Sequence, residues 1–467
     1  MGGLFGVASK ADCVGDLYYG TDYHFHLGTR RGGMAVKNGG NIKHAIHNIE
    51  NSYFRTKFEE DLSKFKGRTG IGVISDTDPQ PLVIGSHLGT FAIITVGRIQ
   101  NIEFHRQRAF DNRNHFTDVR GGDISPTELV ATLICEKDSF EAGIHHAQEL
   151  IEGSCSMLLL TDAGIYAARD RLGRTPLIIG KKNDGFAVAS ETCAFPNLGF
   201  EIDHFIGPGE TILINADGHK QKNPPQDAMQ VCAFLWVYYG YPASDYEGIN
   251  TEAVRNRCGA ALAKNDDLDI DFVAGIPDSG IGHALGYANA RQLPYLRPFV
   301  KYTPTWPRSF MPQNQDLREL VARMKLIPNR QLIEGKKILF CEDSIVRGTQ
   351  LRDSIQLLFD YGAAEVHMRP ACPTLIHACD FLNFSTSRST LDLVGRKIIH
   401  KLNGGKDVDL TEYAVAGSDK NLAMVEGIRD RLKLTSLKYQ RLDDLIASIG
   451  LPKKKLCTHC WDGSSYF

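Results

Sequence analysis

Hydrophobic and polar positions fall into two textures along this chain. Up to about residue 215, short apolar runs alternate with turn residues. They include Gly70-Ile71-Gly72-Val73-Ile74-Ser75, Thr90-Phe91-Ala92-Ile93-Ile94-Thr95, Ser156-Met157-Leu158-Leu159-Leu160, Gly164-Ile165-Tyr166-Ala167-Ala168 and Phe186-Ala187-Val188-Ala189-Ser190. Runs of this length and punctuation predict strands of antiparallel sheets. Helical periodicity between them predicts helices over 44–58, 125–136 and 139–151. Sheets with packed helices make an α+β layered arrangement. The polar stretch 217–227, with its double proline, predicts the link between domains.

Beyond the link the rhythm changes. Phe272-Val273-Ala274-Gly275-Ile276 reads as a buried strand, followed by a Pro-Asp-Ser-Gly turn and a helix over about 282–291. Lys337-Ile338-Leu339-Phe340-Cys341 is a second such strand, followed by a loop and a helix over 351–361. Gly362 stands where a helix C-cap belongs, and Glu365-Val366-His367-Met368-Arg369 is the next strand. This is the βαβ rhythm of a parallel sheet. The expected fold class is therefore α/β and α+β, divided into residues 1–228 and 229–467. No internal repeat or low-complexity segment interrupts it.

Composition narrows the function. The 467 residues allow two or three domains at roughly 150 residues each. Apolar and charged fractions of 42% and 23% are ordinary for a globular protein. Fifty-three Lys and Arg against fifty-five Asp and Glu leave a net charge of −2, which gives no electrostatic case for nucleic acid or an anionic membrane. No apolar run approaches the ~20 residues of a membrane span. The segment Met1-Gly2-Gly3-Leu4-Phe5-Gly6-Val7 lacks a signal peptide's basic start and apolar core. Eleven cysteines, an odd number without such a signal, argue for reduced thiols or metal ligands and a cytoplasmic location.

The most informative stretch is Cys341-Glu342-Asp343-Ser344-Ile345-Val346-Arg347-Gly348-Thr349-Gln350. Two acids end an apolar strand and a Gly-Thr opens a helix. Backbone N–H groups and the Thr349 hydroxyl at a helix N-terminus can cradle a phosphate. The paired carboxylates can accept from ribose hydroxyls or help hold Mg2+. An acidic N-cap beside a convenient glycine has the same pattern, so these features alone leave both readings open.

The complete string closely resembles the phosphoribosyl pyrophosphate (PRPP) loop of type I phosphoribosyltransferases, most of all that of the glutamine PRPP amidotransferase family. Glu342 replaces the usual first Asp and Gln350 the usual second Thr. Ile276-Pro277-Asp278-Ser279-Gly280 resembles the family's pyrophosphate loop. Val300-Lys301 with Trp306-Pro307-Arg308-Ser309-Phe310 is similar to its mobile Lys…Arg-Thr-Phe loop, with Tyr302 for Asn, Ser309 for Thr and slightly stretched spacing. The resemblance covers nearly the whole chain. It implies that Gly348 and Thr349 bind the 5′-phosphate, Glu342 and Asp343 the ribose, and Ser279 with these acids Mg2+. Asp278, Lys301 and Arg308 would surround the pyrophosphate.

Cys457-Thr458-His459-Cys460 taken singly leaves redox motif, half zinc site and coincidence open. In iron–sulfur members of the family one ligand opens a Cys-x-Phe segment, here Cys232-Ala233-Phe234. Another follows the strand after the PRPP helix, which corresponds to Cys379. Cys232, Cys379, Cys457 and Cys460 thus occupy all four ligand positions of a structural 4Fe–4S cluster, with zinc or free thiols as the alternatives. Cys13, Cys135, Cys155, Cys193, Cys258, Cys341 and Cys372 read as small buried side chains.

The family's first domain is an N-terminal-nucleophile glutaminase with an αββα fold. Its scaffold is matched by Gly3-Leu4-Phe5-Gly6, Arg31-Gly32, Gly70-Ile71-Gly72, Gln80-Pro81, Ala168-Arg169-Asp170, Gly173-Arg174-Thr175-Pro176-Leu177, Ala189-Ser190-Glu191 and Pro208-Gly209-Glu210. Its chemistry is not matched. The nucleophile is a Cys exposed by removal of Met, and here position 2 is Gly2. Ser75 replaces the Arg that clamps the glutamine carboxylate. Thr95-Val96-Gly97 replaces the His-Asn-Gly of the oxyanion hole, and Ser125-Pro126-Thr127-Glu128 replaces a Ser-Asp-Thr-Glu turn. The expectation is an inactive glutaminase-fold domain on a working phosphoribosyltransferase. Such a protein would form 5-phosphoribosylamine from PRPP and ammonia supplied in solution or by a separate amine source, within purine nucleotide biosynthesis. The alternative is a non-catalytic regulator that binds PRPP or a purine nucleotide effector and reports through homo-oligomer contacts.

Overall fold

The computed structural model describes residues 2–117, 119–120, 122–264, 266–302, 326–382 and 389–465. Its first half holds two antiparallel sheets face to face. The seven-stranded sheet runs, in spatial order, Glu201–Phe205, Ile178–Lys182, Gly185–Ala189, Gly2–Ser9, Thr69–Ser75, Arg31–Asn38 and Asn41–Asn48. The six-stranded sheet runs Gly218–Asn223, Thr211–Asn215, Ile165–Ala168, Gly153–Leu160, Gly89–Ile99 and Leu82–Ser86. Leu4, Val73, Ile94, Leu158, Ile179 and Ile212 fill the space between them. The helix Val14–Asp22 covers the outer face of the first sheet with Phe54 and Phe58. The helices Pro126–Ile134 and Phe140–Leu150 cover that of the second. The result is four layers, αββα. Central strands such as Gly2–Ser9 are buried on both faces, which is why they read as continuous apolar runs.

Two expectations fail here. The segment 44–58 is not one helix: Asn41–Asn48 is an edge strand paired with Arg31–Asn38, and only Phe54–Phe58 is helical. An open ladder on the neighbouring strand outweighs a weak helical pattern. The presumed link 217–227 also begins too early, because Gly218–Asn223 pairs with Thr211–Asn215 as the other sheet's edge. Its polarity reflects an exposed edge position.

The second half is built on a parallel sheet ordered Phe272–Gly275, Lys337–Glu342, Glu365–Pro370 and Ser436–Leu437. Alternate residues enter opposite cores. Val273, Leu339 and Cys341 face the helices Thr251–Ala263 and Ile281–Arg291. Phe272, Ile338 and Phe340 face Thr349–Asp360 and Asp419–Leu432. Gly362, at φ +88°, ends the helix Thr349–Asp360 as expected. The short strand Leu456–Cys457 runs parallel to Val231–Cys232 and ties the C-terminal tail to the start of this half. Among the described residues no helix is long and apolar enough to cross a membrane.

Candidate functional site

Two loops at the carboxyl ends of parallel strands meet, the position where open α/β sheets bind ligands. The first leaves Phe272–Gly275 through Ile276-Pro277-Asp278-Ser279-Gly280 and enters the helix Ile281–Arg291. A Cβ on Gly280 would lie 2.4 Å from Cys341 O, so only glycine lets this loop close on the adjacent strand. The second leaves Lys337–Glu342 through 343–348 and enters the helix Thr349–Asp360. Gly348, at φ +71°, supplies the left-handed residue that turns the chain into that helix.

The structure brings most of the expected residues together. Ser279 Oγ donates to Glu342 Oε1 at 3.4 Å, and the Asp343 N–H donates to the same oxygen at 3.0 Å. Ser344 Oγ donates to Asp343 Oδ1 at 2.5 Å. Lys301 Nζ pairs with Asp278 Oδ2 at 2.5 Å. Glu342 and Asp343 are 8% and 5% exposed. Burial, with the Asp343 charge beside it, pushes the Glu342 carboxyl well above the usual range. Two adjacent buried acids repel unless a cation or a proton divides them. Ile345 is buried and Val346 O accepts from the Val394 N–H, so the loop is anchored behind its polar face. Arg347 lies 3.9 Å from Asp392, and Gly348, Thr349 and Gln350 stand at the helix entrance. Arg308 lies outside the described residues.

Arg255 is a member of this site that the sequence did not reveal. Its Nε donates to Trp236 O, and its Nη2 to Tyr238 O and Gly240 O at 3.0 and 2.8 Å. The Asp343 charge acts on it. It is thereby a fixed cation within electrostatic reach of Asp343. Nothing around position 255 carries a motif signal, because the residue works through backbone carbonyls distant in sequence.

At position 2 the N-terminal half has a wall. Gly2 pairs with Ser75, and a Cβ on it would lie 2.4 Å from Ile74 O and 2.9 Å from Val96 Cγ1. Nearby, the buried Asp78 accepts from Thr77 Oγ1, Gln80 Nε2, Ser125 Oγ and the Thr127 N–H. Gln80 also donates to Thr95 O and accepts from the Thr95 N–H, and the Thr95 and Thr127 hydroxyls meet at 2.7 Å. Every position expected to have lost a substrate contact therefore sits in or beside one internal network. Asp78, its hub, was missed because it lies outside the matched motifs.

The four expected ligand cysteines converge. Cys232 and Cys457 are partners in the short parallel ladder, and Cys232, Cys379 and Cys457 all act electrostatically on Cys460. All four are buried free thiols. Backbone N–H groups point at their sulfurs: Phe234 and Leu235 at Cys232, His459 at Cys457, and Leu382 at Cys379, the last at 3.4 Å. Such donors stabilise thiolates, yet burial raises the thiols of Cys232 and Cys457, so a cation is needed to make them ligands. Four buried, unbridged cysteines, three of them with N–H donors, fit an iron–sulfur cluster. Among the described residues no three His, Cys, Asp or Glu side chains are grouped to hold a single metal ion. Of the other seven cysteines all are buried except Cys135, which is half-buried.

A family profile described as a glutamine amidotransferase domain matches residues 67–197. The amidophosphoribosyltransferase of Methanocaldococcus jannaschii is 31% identical over 493 residues, covering 99% of this chain and 97% of that protein. The amidophosphoribosyltransferase of Bacillus subtilis is 29% identical over 460 residues, covering 96% and 89%. A solved structure of glutamine PRPP amidotransferase from B. subtilis, complexed with ADP and GMP, superposes with a TM-score of 0.85 at 27% identity. It covers 99% of this chain and 97% of that one. The αββα half and the parallel-sheet half are thus the two parts of that architecture, and this chain belongs to the amidophosphoribosyltransferase family.

Proposed function

We propose that this protein is an ammonia-dependent amidophosphoribosyltransferase of purine biosynthesis, with residues 1–228 as an inactive glutaminase-fold domain and 229–467 as the transferase. The observation that carries this reading is the contrast between the two sites. The loops around Glu342 and Asp343 retain their acids, glycines and serines, while position 2 has backbone where a nucleophile would stand.

In this reading PRPP lies across the two loops, with its 5′-phosphate on the Gly348–Thr349 helix entrance and its ribose hydroxyls on Glu342 and Asp343. Ser279, Glu342 and Asp343 would hold Mg2+ together with the substrate, and the ion would supply positive charge to the leaving pyrophosphate. Lys301 and Arg308 add cations there, and Asp278 pairs Lys301 until pyrophosphate competes for it. Ammonia attacks C1 as the C1–pyrophosphate bond breaks, then loses a proton to solvent as phosphoribosylamine forms. No protein base is required, because ammonia is itself the nucleophile. Cys232, Cys379, Cys457 and Cys460 would hold a 4Fe–4S cluster whose contribution is a cross-link between distant segments.

Pyrophosphate release from Mg2+–PRPP tests this. Release rises with ammonium and is indifferent to glutamine. At fixed total ammonium it rises with pH, because only the free base attacks. No release at high ammonium and Mg2+ refutes the enzyme, and glutamate release from glutamine refutes the inactive domain. The B. subtilis neighbour in complex with ADP and GMP favours a second reading, a homo-oligomeric regulator that binds purine nucleotides. Nucleotide binding without pyrophosphate release in the same assay selects it.

A further inference from the structure

The N-terminal half grips the cysteine cage at three of its four ligands. The Cys232 N–H donates to Arg174 O at 3.3 Å, and Arg98 Nη1 donates to Cys379 O at 3.1 Å. The Arg174 guanidinium hydrogen-bonds the Cys457 side chain. Its Cζ lies 3.7 Å from the centroid of the Phe381 ring, two residues beyond Cys379. Arg174 Nη1 and Nη2 are anchored on Gly153 O at 2.8 Å and Gln230 Oε1 at 3.0 Å, and the residue is 0% exposed. The guanidinium is therefore held in one pose, aimed at a cage sulfur. A buried cation calls for a negative partner. The Cys457 sulfur is one whenever a cluster holds it as a thiolate.

We propose that Arg174 is a positioning residue for the cluster, offsetting part of the thiolate charge and fixing Cys457, so that the domain without a nucleophile serves as one wall of the cofactor site. This rests on the cluster reading above. A cluster with four thiolates is anionic and gains one more negative charge on reduction. A buried cation beside it therefore favours the reduced form, and hydrogen bonds to its sulfurs act in the same direction. Its removal lowers the midpoint potential. A role confined to packing would lower iron content yet leave the potential of the loaded molecules unmoved.

The test uses the full chain, purified anaerobically as wild type, Arg174→Met and Arg174→Lys. It measures iron, acid-labile sulfide and the midpoint potential by spectroscopic titration. Expected are about four iron per wild-type chain and several-fold less in Arg174→Met, whose loaded fraction shows a more negative potential. Arg174→Lys, which keeps the charge, recovers iron and most of the potential. An unmoved potential in loaded Arg174→Met overturns the proposal. Wild-type protein without iron and sulfide overturns the cluster reading itself, a distinguishable result. Should Arg174→Met fail to fold, hydrogen exchange on the wild type decides the matter. Chelation of iron speeds exchange in peptides spanning 96–100 and 169–177 if this wall depends on the cage, and unchanged exchange there overturns the proposal.

Discussion

At the scale of single residues, Gly2 and Glu342 carry opposite lessons. Restoring a thiol by Gly2→Cys does not restore glutaminase activity, because the new Cβ meets Ile74 O and Val96. The expected outcome is no glutamate release and a loss of about 1–3 kcal/mol from overpacking, read by denaturant unfolding. Glu342 is buried beside Asp343, and its carboxyl is raised. A raised acid costs stability as pH climbs from its unfolded value, near ~4.3, toward its folded one, since the unfolded chain releases the proton first. Glu342→Gln removes that cost. Its melting temperature at neutral pH should exceed that of the wild type by a few degrees without ligand. Mg2+–PRPP should then raise the wild type's Tm and leave the variant's unchanged, as thermal melts with and without it would show. Both residues were legible in sequence because each stands inside a contiguous motif. Arg255, Asp78 and the cage-facing role of Arg174 were not, because each acts on partners brought close only by folding.

Individual elements show what such reading can and cannot supply. The βαβ units were plain because buried parallel strands are uniformly apolar and their helices carry caps, as Gly348 and Gly362 show. The two misread elements, Asn41–Asn48 and Gly218–Asn223, are both edge strands. An edge strand with little buried surface has no apolar alternation to announce it, so its identity comes from its neighbour's open hydrogen bonds. The helix Pro126–Ile134 illustrates a different dependence. Ser125 caps it locally, but Asp78 on another segment accepts from both Ser125 Oγ and the Thr127 N–H. Asp78→Ala strands these donors and that of Gln80 in a buried setting. A loss of about 2–4 kcal/mol is expected, measured by urea unfolding with transferase activity unchanged before the transition.

Across the whole molecule the two halves are joined by buried polar contacts as well as by the cysteine cage. Glu191 accepts from Tyr246 OH and from the Tyr241 N–H at 3.2 Å, and pairs with His26 at 2.9 Å. Arg169 reaches across to Glu247 at 2.7 Å. Burial pushes Glu191 up, but the His26 charge and the hydrogen bonds from His26 and Tyr246 hold its carboxyl at about 2. A depressed acid contributes stability above its unfolded value, and that contribution is lost as pH falls from about 4 toward 2. Tyr246→Phe should remove about 1–3 kcal/mol at neutral pH and flatten this acid dependence. Calorimetry across that range checks both, with separate melting of the two halves as the visible sign.

The walled backbone at position 2 has a consequence for how such a protein comes into being. A glutaminase that attacks through its terminal residue must first be matured, since the α-amine that serves as its base exists only after the preceding peptide bond is cut. Here Gly2 is an ordinary rung of a hydrogen-bonded ladder and its amine has no proton to take. On the proposed reading, cutting that bond exposes no nucleophile, and ammonia-dependent pyrophosphate release is expected to be the same before and after Met1 is removed.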